Sequence, residues 1–394
     1  MNFEFATATR IVFGAGAIHR VSADVKAFGA RALVITGRNP RWAEPLLAGL
    51  RANGQGAVTF IVAGEPEIST VEQGVARARA ERCDFIIALG GGSVMDAGKA
   101  IAAMLTNGGA LRDYLEIIGH GQALTQPPAP FIAIPTTAGT GAEVTRNAVL
   151  AAPEHRLKVS LRSPLMLARL AVIDPELTYD LPPALTASTG LDALTQLIEP
   201  YVCLRANPMT DGLCAEGICR AARSLRVAFR NGRDVQARED MAIASLHGGL
   251  ALANAGLGAV HGFAGPIGGM FPAPHGAVCA ALLPHVMAAN IGALRRKAEG
   301  RMKNEEIAAT LETLRRYAHI AALLTGDSAA TADAGVAWVR ELVADLQIPP
   351  LRAYGIGEAH LAELVEKART ASSMKPNPVV LMPAELAVAL RAAV

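Results

Sequence analysis

Four residues in the second half of the chain are of types that bind transition metals. Asp192 and Gln196 stand four residues apart in a helical stretch, 191–202, so both side chains project from one face of that helix. His261 and His275 follow, with a Gly/Pro-rich segment between them that predicts a break of the helix and lets two segments converge. One carboxylate with two imidazoles suits a divalent metal, and the Gln196 amide oxygen offers a fourth, weaker ligand. Because the chain has nine histidines, this spacing alone does not establish a metal site.

A run of glycines that follows an apolar stretch and opens a helical pattern is a candidate phosphate loop. Gly91, Gly92 and Ser93 lie in it, where their backbone amides would converge at the positive end of a helix dipole. Glycine permits the close approach of a pyrophosphate, which a side chain would block. A triple glycine also occurs in plain tight turns, so this loop is a weak signal by itself.

A second loop, rich in threonine and glycine, follows another apolar run. Thr136, Thr137 and Thr140 offer hydroxyls to the phosphate, ribose or carboxamide of a nucleotide cofactor. Two such loops at the carboxyl ends of parallel strands predict one binding crevice. By contrast, the Gly-Ala-Gly of residues 14–16 lacks the third glycine of a dinucleotide fingerprint, so we interpret residues 13–17 as a turn.

The elements that must position these residues follow from hydrophobic periodicity. Short β-type runs alternate with helical patterns in the first part of the chain, which predicts a parallel α/β sheet. The runs cover residues 32–36, 58–62, 85–89, 131–135 and 171–173. After residue 181 long Ala/Leu-rich helical patterns continue to the end. We therefore expect an α/β dinucleotide-binding domain at 1–180 and an all-α domain at 181–394 that binds metal and substrate.

The composition is that of a globular protein large enough for two domains, with 394 residues, 51% of them hydrophobic and 18% charged. A net charge of +2 without a basic stripe argues against a nucleic-acid or membrane surface and favours a small-molecule substrate. The N-terminus does not look like a signal peptide, and the five cysteines form no Cys-x-x-Cys. We expect a cytoplasmic protein with reduced thiols.

These segments together resemble the iron-containing (group III) alcohol dehydrogenases, whose dehydroquinate synthase-like fold has the same two-domain plan. The resemblance covers nearly the whole chain and is carried by motifs at residues 9–16, 90–99, 135–146, 173–175, 189–195, 274–276 and 283–286. It implies that Asp192, His261 and His275 hold a catalytic metal, Fe²⁺ by resemblance or Zn²⁺. It also implies NAD or NADP as the cofactor and a homodimer or higher homo-oligomer.

The same resemblance assigns the nucleotide-binding residues. It implies that the glycine loop binds the pyrophosphate and that the three threonines described above bind the rest of the nucleotide. Asp96 and Lys158 stand at positions that the family uses near the cofactor.

The chain departs from the family at three places. The family usually has His where Gln196 stands, which removes a strong nitrogen ligand and leaves the metal's identity open. Gly265 occupies a place where many members carry another active-site His. Gly37 and Arg38 follow the first predicted strand, where NAD-preferring members offer an Asp that would repel a 2′-phosphate. Arg38 would instead pair with that phosphate, so NADP is expected to be tolerated.

The sequence therefore predicts reversible hydride transfer between a small alcohol or hydroxyacid and NAD(P), assisted by a metal. Three alternatives stay open. A metal-independent reductase resembling maleylacetate reductase is favoured by Gln196 and disfavoured by Asp192. A lyase resembling dehydroquinate synthase and a catalytically silent nucleotide-binding protein are the other two.

Overall fold

The computed structural model describes residues 2–300 and 303–394. The chain divides into two compact units, one formed by Ala6–Asp180 and the other by Leu181–Val394 together with the N-terminal segment through Phe5. Among the described residues every strand lies in the first unit, whereas the second unit is built of helices. The predicted fold class, a parallel α/β part followed by an all-α part, is confirmed.

The first unit contains a six-stranded parallel sheet. Its strands are β1 (Ile11–Phe13), β2 (Arg31–Thr36), β3 (Gly56–Ile61), β4 (Phe85–Gly90), β5 (Phe131–Pro135) and β8 (Leu170–Ile173). They lie in the order β1-β8-β5-β4-β2-β3. All five apolar runs identified in the sequence form strands of this sheet. The central strands β4 and β5 are buried along their whole length, which explains why their sequences are continuously apolar.

An antiparallel hairpin and five helices complete this unit. The hairpin, β6 (Asn147–Ala152) with β7 (Leu157–Arg162), was not among the predicted runs. Its backbone meets the segment after β3, where the amide of Ala151 donates to the carbonyl of Pro66. The helices are α1 (Val21–Asp24), α2 (Ala43–Ala52), α3 (Ile68–Ala80), α4 (Gly92–Thr106) and α5 (Leu111–Tyr114).

The second unit packs its helices around α6 (Pro183–Val202), whose residues are buried almost without interruption from Thr186 onwards. Three helices pack against it: α7 (Pro208–Arg230), α8 (Val235–Asn254) and α10 (His275–Glu299). The predicted helix at 191–202 is the second half of α6. The other helices are α9 (Ala259–Met270), α11 (Asn304–Thr325), α12 (Ala332–Asp345), α13 (Leu361–Thr370) and α14 (Pro383–Ala393).

The Gly/Pro-rich segment between the two candidate histidines breaks the helix later than its sequence suggests. We expected Gly265, Pro266 and the following glycines to end the helix, but α9 continues through them to Met270. Phe263 and Ile267 are fully buried, so packing of the apolar face outweighs the low helix propensity of glycine and proline. The break is confined to the four residues before α10.

Helix α10 is long and apolar enough to cross a membrane when judged by length and composition alone, and the bent pair α8 and α9 passes the same test together. Most of the apolar stretch of α10 is buried inside the protein. Its composition is therefore accounted for by its place in the core of the helical unit.

Candidate metal centre and nucleotide crevice

A cluster of four potential metal ligands forms where three helices of the second unit meet. Asp192 comes from α6, His261 from the first turn of α9, and His275 and Cys279 from the first two turns of α10. Their donor atoms all lie within 4.8 Å of one another. Asp192 Oδ1 lies 3.5 Å from His261 Nε2 and 3.7 Å from His275 Nε2. The structure thus brings together the three residues that the sequence predicts as the main ligands.

The close approach of α10 to α6 depends on a glycine. Gly276 follows His275, and a Cβ at this position would overlap the backbone carbonyl oxygen of Ser188 on α6. Because the position after His275 has no side chain, the first turn of α10 can lie directly against α6. This contact brings the His275 imidazole to Asp192.

Glu199 fixes the orientation of His261, a role that the sequence analysis missed. This buried carboxylate, two helical turns after Asp192 on α6, accepts hydrogen bonds from His261 Nδ1 at 2.6 Å and from the Val260 amide at 2.7 Å. Since Nδ1 donates to Glu199, the Nε2 atom of His261 is free to face Asp192. A carboxylate behind a histidine in this way is a common second-layer partner of metal-binding imidazoles. The seven-residue spacing from Asp192 was the available sequence signal.

The electrostatics of the cluster suit a cation. Burial alone would raise the pKa of Asp192, but His275, His261 and a hydrogen bond from Gln196 outweigh it and lower that pKa. Burial alone would lower the pKa of His261, whereas Cys279, Glu199 and Asp192 raise it well above its ordinary value. The groups around His261 therefore favour positive charge at this point.

Two oxygen atoms at the cluster are buried without a hydrogen-bond partner, Asp192 Oδ1 and Gln196 Oε1. Leaving a buried acceptor unpaired costs about 1–3 kcal/mol, so native proteins seldom do so without a ligand. A divalent cation would satisfy Asp192 Oδ1, and the donor set of carboxylate, imidazole and thiol fits one. The cluster is also open on one side, because the His275 side chain is 32% exposed whereas that of Asp192 is 2% exposed.

Cys279 is the member of the cluster that the sequence analysis did not single out. Its Sγ lies 3.8 Å from His261 Nε2 and 3.7 Å from His275 Nε2. Burial raises the pKa of this thiol to about 12. The four-residue spacing from His275 on α10 was the signal, since residues four apart share a helix face.

The first unit carries a crevice where the strand order of its sheet reverses. Strand β2 is followed in sequence by β3 at one edge, whereas β4 and β5 continue on the other side of β2. Nucleotides bind α/β sheets outside the carboxyl ends of strands at such a reversal. The crevice is lined by Gly37, Asn39, Pro40, Trp42, Leu89, Gly90, Gly91 and Thr136.

The two predicted loops lie side by side at this crevice. The amide of Thr136 donates to the carbonyl of Gly90, and a Cβ on Gly92 would lie only 3.0 Å from Thr140 Cγ2. Helix α4 begins at Gly92, and no side chain caps its N-terminus. Its first amides are therefore available to an anion, as the sequence predicts for Gly91, Gly92 and Ser93.

The remaining predicted cofactor residues belong to the same unit. Asp96 pairs with the buried Lys99 at 3.0 Å, and Lys158 on β7 pairs with Glu65 at 2.9 Å. Arg38 is exposed just after β2. Nothing in the structure tests their contacts with a cofactor, so these assignments stay predictions.

Glu143, beside the threonine loop, is buried, and we expect it to make the stability of this unit depend on pH. Burial raises the pKa of its carboxyl from 4.5 to about 7, although its own backbone amide and Lys99 lower it. A raised pKa favours the protonated form in the folded state, so folding stability falls as pH rises from about 4.5 to 7. We expect Glu143→Gln to stabilise the protein by at most about 3 kcal/mol above pH 7 and to change little near pH 4.5.

Denaturant unfolding of the wild type and the variant at several pH values measures this difference. Glu154→Gln, at an acidic residue with an exposed side chain in the same unit, is the control and should show no such pH dependence. An equal effect of Glu143→Gln at all pH values would contradict the raised pKa.

A crevice at the strand reversal of a parallel sheet and a carboxylate–imidazole cluster in a helical unit are the features expected of a metal-dependent dehydrogenase. Comparison with known proteins agrees. Residues 8–175 match the model of the family described as iron-containing alcohol dehydrogenase, and residues 186–394 match its C-terminal counterpart. The chain belongs to the iron-containing alcohol dehydrogenase family.

Individual relatives support this assignment. Long-chain-alcohol dehydrogenase 1 of Geobacillus thermodenitrificans (strain NG80-2) is 38% identical, over 91% of this chain and 90% of its own. A crystal structure of 1,3-propanediol oxidoreductase superposes with a TM-score of 0.90 at 35% identity and covers both chains completely. Sulfoacetaldehyde reductase from Bifidobacterium kashiwanohense, solved with NAD⁺, gives a TM-score of 0.82 at 27% identity over 99% of this chain and 98% of its own.

The predicted family and enzyme class are therefore confirmed, and the protein is a metal-dependent oxidoreductase that acts on alcohols and aldehydes. The alternatives resembling maleylacetate reductase and dehydroquinate synthase are not favoured by these relatives. The family implies a nicotinamide nucleotide and a divalent metal as cofactors.

Proposed function

We propose that the protein interconverts small alcohols and their aldehydes or ketones with NAD or NADP, using a metal held by Asp192, His261 and His275. The observation that carries this proposal is the buried Asp192 Oδ1, which lacks a hydrogen-bond partner and faces two imidazole nitrogens. Gln196 offers a neutral amide oxygen beside this set. Fe²⁺ is the metal that the family implies, and Zn²⁺ is chemically compatible with the same donors.

The chemistry divides between the cofactors and the chain. When bound, the divalent cation stabilises negative charge on the substrate oxygen, and the nicotinamide accepts or donates a hydride. Asp192 contributes the negative charge that retains the cation. Glu199 holds the His261 ring in one orientation, so this ligand is in place before the substrate binds. The exposed side of His275 gives the substrate access to the cluster.

We propose that residues 1–180 bind the nucleotide and residues 181–394 bind metal and substrate. The free amides at the start of α4 would bind the pyrophosphate, and the neighbouring threonines would contact the rest of the nucleotide. The proposed cofactor-binding residues are Gly37, Arg38, Gly91, Gly92, Ser93, Asp96, Thr136, Thr137, Thr140 and Lys158. A cytoplasmic location and a homodimer or larger oligomer are part of the same proposal.

A screen of alcohols, hydroxyacids and aldehydes with NAD(H) and NADP(H) tests this function. We expect reversible turnover that chelation abolishes and that added Fe²⁺ or Zn²⁺ restores. Turnover unaffected by chelation would instead support the metal-independent reductase. The absence of net NADH formation with every substrate would support a lyase.

The end of β2 predicts tolerance of NADP(H). Gly37 lines the crevice and carries no charge, and Arg38 next to it is exposed and able to pair with a 2′-phosphate. We expect the wild type to use both cofactors and Gly37→Asp to lower kcat/KM for NADPH about tenfold or more, with a smaller effect on NADH. Steady-state kinetics with both cofactors measure the two ratios.

Gly37→Asn is the matched control, because it adds a side chain of similar size without the charge. Arg38→Ala should reduce the use of NADPH alone. A wild type that already rejects NADPH by more than about a thousandfold, roughly 4 kcal/mol, would show that Gly37 and Arg38 do not admit the phosphate.

A further inference from the structure

We propose that Cys279 is a fourth protein ligand of the metal and binds it as a thiolate, in the role that an imidazole at position 196 fills in most family members. This inference rests on the proposed function, since it assumes a cation at the Asp192 cluster. It assigns a ligand that the family pattern does not include, and it changes the donor set from nitrogen and oxygen alone to one that contains sulfur.

The distances in the cluster are those of a coordination site. In a tetrahedral site with metal–ligand bonds of about 2.0–2.3 Å, neighbouring donor atoms are about 3.3–3.8 Å apart. The four separations from Asp192 Oδ1 and Cys279 Sγ to the two histidine Nε2 atoms are 3.5, 3.7, 3.8 and 3.7 Å. All four fall in this interval, and the two from Asp192 Oδ1 exceed the usual length of a hydrogen bond between nitrogen and oxygen. The donor atoms therefore surround a space of the size that a small cation fills.

A purely hydrogen-bonding role for the Cys279 thiol explains the geometry of the cluster less well than metal coordination does. A thiol has a single proton and is a weak donor, yet both Nε2 atoms point towards the same sulfur. Such a role also leaves Asp192 Oδ1 buried and unpaired. Coordination to one shared cation satisfies all four donors at once.

Gln196 lies four residues after Asp192 on α6, and a hydrogen bond from its side chain lowers the pKa of the Asp192 carboxyl. We infer that Gln196 positions this carboxylate, while the sulfur on α10 completes the ligand set. The partly exposed His275 still leaves one side open, and the coordination of catalytic zinc sites sometimes expands to five ligands.

The sulfur ligand has a consequence for the metal. Binding forms one metal–sulfur bond and releases the thiol proton to solvent, so the net charge of the donor set becomes −2. Soft thiolate ligands favour Zn²⁺ over harder ions such as Mg²⁺. We therefore expect this enzyme to retain Zn²⁺ more tightly than its Asp192→Asn or Cys279→Ser variants do.

Cobalt substitution in the full-length protein tests the ligand directly. The metal is removed with a chelator and replaced by Co²⁺, which gives a near-ultraviolet charge-transfer band only when a thiolate is bound to it. We expect this band in the wild type and in Gln196→Ala, and its loss in Cys279→Ser. Competition with a chelating dye should show Zn²⁺ binding at least tenfold weaker in Cys279→Ser.

Cys214→Ser is the matched control, because Cys214 is also fully buried in a helix of this unit but lies outside the cluster. It should keep the band. Co²⁺ bound to the wild type without the band would overturn the sulfur ligand and leave the proposed function intact. Loss of Co²⁺ binding in Gln196→Ala, with the band kept in Cys279→Ser, would also overturn it. Failure of the wild type to bind Co²⁺ or Zn²⁺ at all would instead overturn the metal-dependent function.

Discussion

Replacing His275 by alanine should remove the bound metal and alcohol oxidation together while leaving NAD(P) binding nearly unchanged. His275 is one of the imidazoles facing Asp192 Oδ1, so its loss leaves an incomplete donor set. Lewis-acid stabilisation contributes several kcal/mol, and each 1.4 kcal/mol changes the rate tenfold. We therefore expect kcat/KM to fall by about a thousandfold or more. Metal content by elemental analysis and NADH affinity by calorimetry measure the two effects separately.

We expect separate effects on metal binding and on nucleotide binding because the two proposed sites belong to different units of the chain. The proposed metal cluster belongs to the helical unit, whereas both proposed nucleotide loops belong to the unit Ala6–Asp180. His319→Ala is a suitable control, because this histidine bonds to Tyr201 in the helical unit and is outside the cluster. If His275→Ala weakened NADH binding as much as it reduced turnover, the two functions would not be independent.

The sequence was most informative where one physical signal dominated. Strands β4 and β5 are buried on both faces, so their apolar runs could be recognised without knowledge of their neighbours. The hairpin of β6 and β7 was missed because the prediction relied on continuous apolar runs, whereas apolar and polar residues alternate along β7. The continuation of α9 through Pro266 was also missed, since it depends on packing that local propensity does not contain.

Prediction of the site from the sequence had the same limit, because it missed residues whose role depends on packing. Asp192, His261 and His275 could be proposed from residue type and family resemblance, whereas Glu199 and Cys279 could not be separated from ordinary buried residues. Glu199 acts through a contact with a residue 62 positions away in sequence. Such partners become visible only when α6, α9 and α10 are packed together.

Ser93→Asp should abolish most nucleotide binding without disturbing either the fold or the metal site. Ser93 is the second residue of α4 and is only partly buried. A carboxylate in the first turn of a helix stabilises it by about 0.3–1 kcal/mol, so unfolding should be unchanged or slightly harder. The same charge would repel a pyrophosphate at the amides of Gly91 and Gly92. A pair of like charges about 4 Å apart near a protein surface repels by about 1–4 kcal/mol, which predicts NADH binding about 100-fold weaker.

Ser93→Asn is the matched control, because the asparagine side chain has nearly the same size as aspartate but is neutral. It therefore distinguishes the effect of the added charge from the effect of the larger side chain. We expect the asparagine variant to bind NADH within about tenfold of the wild type, since the backbone amides that receive the phosphates remain. Both variants should retain the full metal content, because the metal ligands belong to the other unit. Calorimetric titration with NADH at two salt concentrations gives the comparison, and added salt should partly restore binding to Ser93→Asp by screening the repulsion. Equal affinities of the aspartate and asparagine variants would show that the pyrophosphate does not bind at the start of α4.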